Sequence, residues 1–241
     1  LLRNKFKNLN IDGYIIPKND EFFSEYSSKD RLKIISNFTG SAGYAIILKK
    51  NNYLFVDSRY SIQAEIESGN NFKIVNYEKI INCNLFKGIV LGFDPKLFTS
   101  DQILRFFKKF NFVKEIKTNL IDEISNSVTN KSKPFFSLKN EIVGESHNKK
   151  IKKISNFLKK NKSNYLFISS PENVAWLLNI RGFDNPNSPI PNSRLLINNK
   201  GKIYLICKLS KAKKIIQEQK IKKNQVIEPK YFPNFIKKLN K

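Results

Sequence analysis

A short apolar run, Tyr14-Ile15-Ile16, is closed by Pro17, and a similar run, Tyr165-Leu166-Phe167-Ile168, is closed by Ser169-Ser170-Pro171. Continuous apolar runs of this length, ended by turn chemistry, read as buried strands. Each is followed by residues with helical spacing, from about Lys29 to Ile35 and from Asn173 to Leu178. The second helix has a good start signal: Ser170 as cap, Pro171 at the first helical position and Glu172 in the first turn. A hairpin pattern comes next in both places, turning at Asn51-Asn52 or Lys200-Gly201. A further helix then leads to a short strand, Phe72–Val75 in one half and Val226–Ile227 in the other. The first half alone continues, with a strand at Ile89–Phe93 and a helix at Ser100–Phe110.

The spacing of these echoes is regular. Tyr14 and Tyr165 are 151 positions apart, as are Tyr53 and Tyr204. "NFTG" at 37–40 and "NIRG" at 179–182 are separated by 142, so the second copy is nine residues shorter before the glycine and nine longer after it. The added length holds the Pro-rich "NPNSPIPN". Internal similarity of this kind predicts duplicated structure. The expected fold is α/β, with two related units that are each a mixed β-sheet flanked by helices. The first is placed at 1–124 and the second at 148–241, with the polar, weakly patterned segment 125–147 between them as a linker. Carried over by the repeat, Lys241 matches a position inside the strand Ile89–Phe93, so the second unit is expected to be incomplete at its C-terminus.

Composition narrows the function classes. The 241 residues carry a net charge of +24, which invites a nucleic-acid reading. Only six of the 44 basic residues are arginine, namely Arg3, Arg31, Arg59, Arg105, Arg181 and Arg194. Base and phosphate recognition lean on the bidentate arginine fork. The chain is also rich in Asn, Ile and Phe, so the lysines fit a genomic bias toward A/T-rich codons. The densest basic stretch, 148–162, spaces Ile151, Ile154, Phe157 and Leu158 along one helical face with Lys on the other, which is a solvated amphipathic helix. No run approaches the roughly 18 apolar residues of a membrane span. Leu1-Leu2-Arg3 has no secretory apolar core, and the absence of any Met suggests a piece of a longer chain. Cys83 and Cys207 stand far apart and read as buried, reduced thiols of a cytoplasmic protein.

Chemical constellations are sparse. The cluster Gly40-Ser41-Ala42-Gly43 leads into a strand and has no following Gly-Lys-Ser, which excludes a P-loop. It also lacks the first glycine of a nucleophile elbow, and the one histidine, His147, lies in the expected linker, far from Ser41. The cluster reads as a backbone device that permits a tight turn and close strand approach. His147 has no Cys or His at ligand spacing. Asp20, Glu21, Asp57, Asp94 and Asp184 form no acid–base pair by spacing. Asp57 and Arg59 read as an ordinary ion pair. Arg181 and Asp184, in "NIRGFDNP", read either as a pair that fixes its loop or as a substrate contact.

"NFTGSAGYAII" followed by "LFVDSRYSIQA" resembles the signature of the Xaa-Pro aminopeptidases of the creatinase/prolidase superfamily, S-G-F-T-G-S-A-G and then W-T-D-G-R-Y-x-x-Q-A. The upstream S-E-Y…D-x-R-x-x-x-S pattern is met by Ser24, Glu25, Tyr26, Asp30 and Ser36. "AWLLNIRGFDNPNSPIP" at 175–191 is similar to the family's A-W-L-x-N-x-R-G-x-D loop, and "NLIDEI" at 119–124 and "GES" at 144–146 to its interdomain joint. Asn37 and Ser58 stand where the pattern has glycine, and the family's Trp and Arg-Pro are missing around Glu123–Val128. The resemblance implies two related α/β domains supporting a third, pita-bread domain with two divalent ions (Mn or Zn) on two Asp, one His and two Glu. It implies removal of an N-terminal residue ahead of proline by a homodimeric cytoplasmic enzyme with no membrane or nucleic-acid partner. None of those ligand motifs can be placed in 1–241, so no catalytic or metal-binding residue and no bound cofactor is expected here. Arg59 and Tyr60, from the hairpin motif, and Arg181 and Asp184, from the loop motif, are the expected substrate-cleft edge. A protein-binding module of the same superfamily is the second reading, and a Lys-rich nucleic-acid binder the third.

Overall fold

The computed structural model describes residues 1–24, 27, 29–80, 86–108, 112–125 and 133–239. The motif residues Glu25 and Tyr26, the thiol of Cys83 and the end of the helix expected at Ser100–Phe110 lie outside the described residues. The chain forms two compact units, Leu1–Val128 and Thr129–Lys241. The α/β class expected from the sequence is what the structure shows.

The first unit holds β1 (Gly13–Pro17), β2 (Gly43–Leu48), β3 (Asn52–Val56), β4 (Lys73–Asn76), β5 (Val90–Phe93) and β6 (Phe112–Glu115) in one sheet of order β4-β3-β2-β1-β5-β6. β1, β2 and β3 pair antiparallel, while β4, β5 and β6 join in parallel. Its helices are α1 (Phe6–Leu9), α2 (Arg31–Ser36), α3 (Ser61–Ser68), α4 (Ser100–Ile103) and α5 (Leu120–Ile124).

Alternation along the strands builds two cores, one on each face. Tyr14, Ile16, Ala45, Ile47, Leu54 and Val56 pack with Leu32 of α2, Ala64 of α3 and Ile121 of α5. Ile15, Tyr44, Ile46, Tyr53 and Phe55 pack on the other side with Phe86, Leu91, Phe93, Phe98 and Phe107. Burial on both faces explains why β1 reads as an unbroken apolar run. α2 is capped by Asp30, which accepts from the Lys33 amide, and it ends on Asn37 at φ 64°. Asparagine tolerates this left-handed position, so it can replace the glycine of the resembled pattern.

The second unit repeats the plan on a smaller scale. β8 (Tyr165–Ile168), β10 (Arg194–Asn198), β11 (Ile203–Ile206) and β12 (Val226–Ile227) make a sheet of order β12-β11-β10-β8, and β7 (Phe136–Ser137) pairs separately with β9 (Ile180–Arg181). β8, β10 and β11 are antiparallel and β12 is parallel, as in β1 to β4. The helices are α6 (Asn140–Val143), α7 (His147–Lys160), α8 (Pro171–Leu178), α9 (Leu209–Gln217) and α10 (Phe232–Leu239). Leu158, Val174, Leu177, Leu178, Ala212 and Ile215 from α7, α8 and α9 cover one face of this sheet.

Pairing corrects the repeat by one residue at its first strand. Ile46 lies between Ile15 and Tyr53, and Leu196 lies between Phe167 and Tyr204. Phe167 is therefore the counterpart of Ile15, and Leu166 that of Tyr14.

Several local expectations change. Residues 133–147, expected as linker, belong to the second unit: Phe135 is fully buried, its amide donates to the Lys211 carbonyl at 2.8 Å, and β7 pairs with β9. A two-residue strand carries no periodicity, and its partners are distant in sequence. Ser170 occupies the cap position of α8, but its hydroxyl donates to Glu172 Oε2 at 2.6 Å instead of capping the helix. On α7, Phe157 is 62 % exposed, while Lys150 is buried and donates to the Trp176 carbonyl and to Asn179 Oδ1, both at 2.7 Å. The helix expected from Ser100 is four α-helical residues followed by a π turn at Leu104–Lys108.

Candidate functional site

The motif residues of the first unit gather around the turn between α2 and β2. A cavity of about 370 Å³ opens there, with Lys18, Ser24, Ser41, Tyr44, Asp57 and Arg59 among its lining. β1 delivers Lys18 to this end of the sheet, where its ammonium pairs with Asp30, the cap of α2. Asp20 accepts from the Phe22 and Ser24 amides and fixes the loop after β1.

The small residues of the turn serve backbone proximity. A Cβ on Gly43 would stand 2.8 Å from the Phe55 carbonyl oxygen, and one on Gly40 2.2 Å from the Phe38 ring. The Ser41 hydroxyl meets the Tyr60 hydroxyl at 2.8 Å. Thr39 is held by Glu67, which accepts from the Thr39 amide at 2.7 Å and from its hydroxyl at 2.6 Å. Gln63 donates to both Thr39 and Glu67. Burial pushes the Glu67 carboxyl up, and these hydrogen bonds outweigh it to leave the group below its ordinary value. The Thr-Gly and Tyr-x-x-Gln halves of the motif, distant in sequence, thus lock one another.

Arg59 and Tyr60 lie together at this locus. The Arg59 guanidinium donates through Nε to Asp57 Oδ1 at 2.9 Å and through Nη2 to Oδ2 at 3.3 Å, and sits 5.8 Å from the Tyr60 ring centre. Those hydrogen bonds hold Asp57 below the usual carboxylate range, as does the Arg59 amide. The Asp57–Arg59 ion pair expected from sequence is present.

In the second unit, Arg181 on β9 donates to the Ile180 carbonyl at 2.8 Å and to the Ala175 carbonyl at 3.3 Å. Asp184 does not pair with it. Its Oδ1 accepts from Lys211 Nζ at 2.6 Å and its Oδ2 from the Asn192 amide at 2.8 Å. The loop is fixed by an ion pair, but the cation comes from α9. No sequence signal singles out Lys211 among so many lysines. Lys18, by contrast, directly follows Pro17, the residue that closes the first apolar run.

Chemically, these groups offer hydroxyls, a guanidinium and an ammonium for holding polar ligands. Among the described residues no group of three or more His, Cys, Asp and Glu could hold a metal ion. His147 opens α7, where burial first and then Lys220 and Lys150 hold it below the ordinary histidine value. A two-metal donor set does not fit these residues.

Both halves match the creatinase/prolidase N-terminal domain, at residues 1–123 and 126–241. The chain belongs to the creatinase/prolidase N-terminal domain family. It is 32% identical to Xaa-Pro aminopeptidase 2 of Rattus norvegicus over 81% of its length and 31% identical to Xaa-Pro aminopeptidase 1 of Dictyostelium discoideum over 78%. It covers 32% and 34% of those proteins, so it spans about a third of the curated relatives it matches. The crystal structure of X-prolyl aminopeptidase from Caenorhabditis elegans, described as a cytosolic enzyme with a di-nuclear active site, superposes on 98% of this chain and 43% of its own, with a TM-score of 0.84 and 26% identity. No helix among the described residues is long and apolar enough to cross a membrane.

Proposed function

We propose that this chain is the N-terminal, non-catalytic part of a cytoplasmic, metal-dependent Xaa-Pro aminopeptidase that removes the residue ahead of proline from peptides. The likeness to the C. elegans enzyme over nearly the whole chain carries this reading. The metals and the chemistry they supply would be held by residues outside 1–241, since no such donor set is assembled among the described residues. This chain would shape walls of the substrate cleft and contribute contacts of a homodimer. Arg59 and Tyr60 in the first unit, and Arg181 and Asp184 in the second, are the proposed cleft edge. Support for their role is that each is anchored: Arg59 by Asp57, Tyr60 by Ser41, Arg181 by two carbonyls and Asp184 by Lys211. Anchored side chains keep their geometry when a ligand arrives.

The test is kinetic. In the longer protein, hydrolysis of a peptide with proline second is measured for wild type and Arg181→Ala. Loss of kcat/KM well beyond twofold supports the cleft edge. A change within about twofold, less than roughly half a kcal/mol, removes Arg181 from it. Absence of any Xaa-Pro cleavage by the full-length wild type removes the enzymatic reading altogether.

A further inference from the structure

The two units differ sharply in charge. Leu1–Val128 carries 19 Lys and Arg against 14 Asp and Glu, whereas Thr129–Lys241 carries 25 against 6. Their net charges are therefore +5 and +19. A/T-rich codons account for lysine in both units, but not for the loss of Asp and Glu from one of them. Charge set this unevenly between the halves of a chain points to a polyanionic partner. The ion pairs divide the same way. Among the described residues seven lie in the first unit, and the second has Lys153–Glu145 and Lys211–Asp184.

The surplus gathers on one layer. α7 and α9 lay their apolar sides on the same face of the β12-β11-β10-β8 sheet, through Ile151, Ile154 and Leu158 and through Ala212 and Ile215. Their outer sides present Lys149, Lys152, Lys160, Lys213 and Lys214, all exposed and without an acidic partner among the described residues. Two aromatic side chains also stand exposed here, Phe157 at 62 % and Trp176 of α8 at 57 %. With 3.6 residues per turn, Lys149, Asn156 and Lys160 form the crest of α7, opposite its buried side. Phe157 lies instead on the stripe of Lys150, seven residues earlier. Lys150 turns toward α8, its Nζ 4.2 Å from the centre of the Trp176 ring. Phe157 is thus on the α8 flank, below a crest of lysines.

That placement selects among polyanions. A bilayer would meet the crest first, whereas an aromatic that enters lipid has to lead its helix into the headgroups. A flexible strand can run its phosphates along the crest and turn its bases down to the rings. Sequence-tolerant binding of this kind needs lysines for phosphate and aromatic faces for bases, and no arginine fork. We propose that the outer face of α7 and α8 binds single-stranded nucleic acid, with phosphates on Lys149 and Lys160 and bases stacked on Phe157 and Trp176. The inference does not depend on peptidase activity, and its test reads none.

Anisotropy of a fluorescent oligouridine of roughly twelve nucleotides is measured against 1–241 across a salt series. Saturable binding that weakens steeply with salt is expected. Phe157→Ala should weaken it about tenfold with the salt dependence unchanged, and Phe157→Tyr, which keeps the ring, should bind like wild type. Lys149→Gln combined with Lys160→Gln should flatten the slope of log affinity against log salt by about 1.4, roughly 0.7 for each phosphate contact given up. Lys7→Gln with Lys50→Gln removes the same charge from the first unit and should leave affinity and slope as they were. All these side chains are exposed, and circular dichroism checks that each variant folds. No binding at low salt overturns the proposal, as does a Phe157→Ala chain that binds like wild type. Equal effects of the two lysine pairs overturn it too, since charge alone would then hold the strand. Phosphatidylcholine vesicles containing phosphatidylserine are tested in parallel. Vesicle binding that depends on Phe157, without oligonucleotide binding, would assign the face to a bilayer instead.

Discussion

The hydroxyls of Ser41 and Tyr60 meet at 2.8 Å, fastening the turn before β2 to the turn after β3. Ser41 is buried, and the Tyr60 ring packs edge-on against Phe38 with centroids 5.9 Å apart. Tyr60→Phe keeps the ring and strands the Ser41 hydroxyl without its partner. The expected loss is about 1 kcal/mol of unfolding free energy, read by urea titration of 1–241. Ser41→Ala should cost a similar amount, and adding it to Tyr60→Phe should cost little more. Additive losses would mean that the two hydroxyls do not act as a pair.

Gly43 tests the assignment of the glycine cluster as a backbone device. A methyl group there would press on the Phe55 carbonyl oxygen, an atom of the adjacent strand that cannot rotate away. Gly43→Ala should therefore destabilise the first unit by roughly 1–3 kcal/mol, the range for overpacking a close-packed interior. A melting temperature equal to wild type would show that β2 and β3 have room to separate.

What the sequence disclosed follows from where its signals are local. β1 and β8 were legible because apolar runs ended by turn residues depend only on neighbours in the chain. β6 was not: it is an edge strand whose Phe112 is 73 % exposed, so it shows no buried pattern. β7 was hidden in the supposed linker because two residues cannot display a period. Ion pairs were read well only at short range. Asp57 and Arg59 pair as neighbours, but the nearness of Arg181 to Asp184 misled, because Asp184 reaches Lys211 across 27 positions. The motif was legible as a pattern. That Gln63 and Glu67 hold Thr39 required the fold.

Lys211 and Asp184 form the most enclosed ion pair of the second unit among the described residues, with side chains 15 % and 11 % exposed. Asp184→Ala would leave the ammonium beside Phe135 without its counter-ion and the Asn192 amide without its acceptor. A loss of about 3 kcal/mol is expected, as for breaking a buried pair on one side. Arg181→Ala should cost about 1 kcal/mol, since only carbonyl contacts are given up. Thermal unfolding of both variants, followed by circular dichroism, checks the order. A larger loss for Arg181→Ala would return the loop's anchorage to the arginine.

Arg31 and Asp122 tie α2 to α5, with Nε to Oδ1 at 2.8 Å and Nη2 to Oδ2 at 2.9 Å, and Lys29 adds a second cation at 2.7 Å. Burial raises the Asp122 carboxyl, and the hydrogen bonds from Arg31 and Lys29 more than reverse it, so the folded group titrates below its ordinary value. A carboxylate that is more acidic folded than unfolded stabilises above its unfolded pKa, and the contribution is lost as pH falls through the folded one. The sensitive window therefore lies below about pH 4, the unperturbed aspartate value. Asp122→Asn should cost about 2 kcal/mol at neutral pH, less than a fully buried pair because Asp122 is partly solvated. That difference should shrink steadily in urea titrations taken from pH 5 downward, as wild type protonates the same carboxyl. Parallel stability curves for the two proteins down to pH 2 would show that another carboxylate governs the acid response.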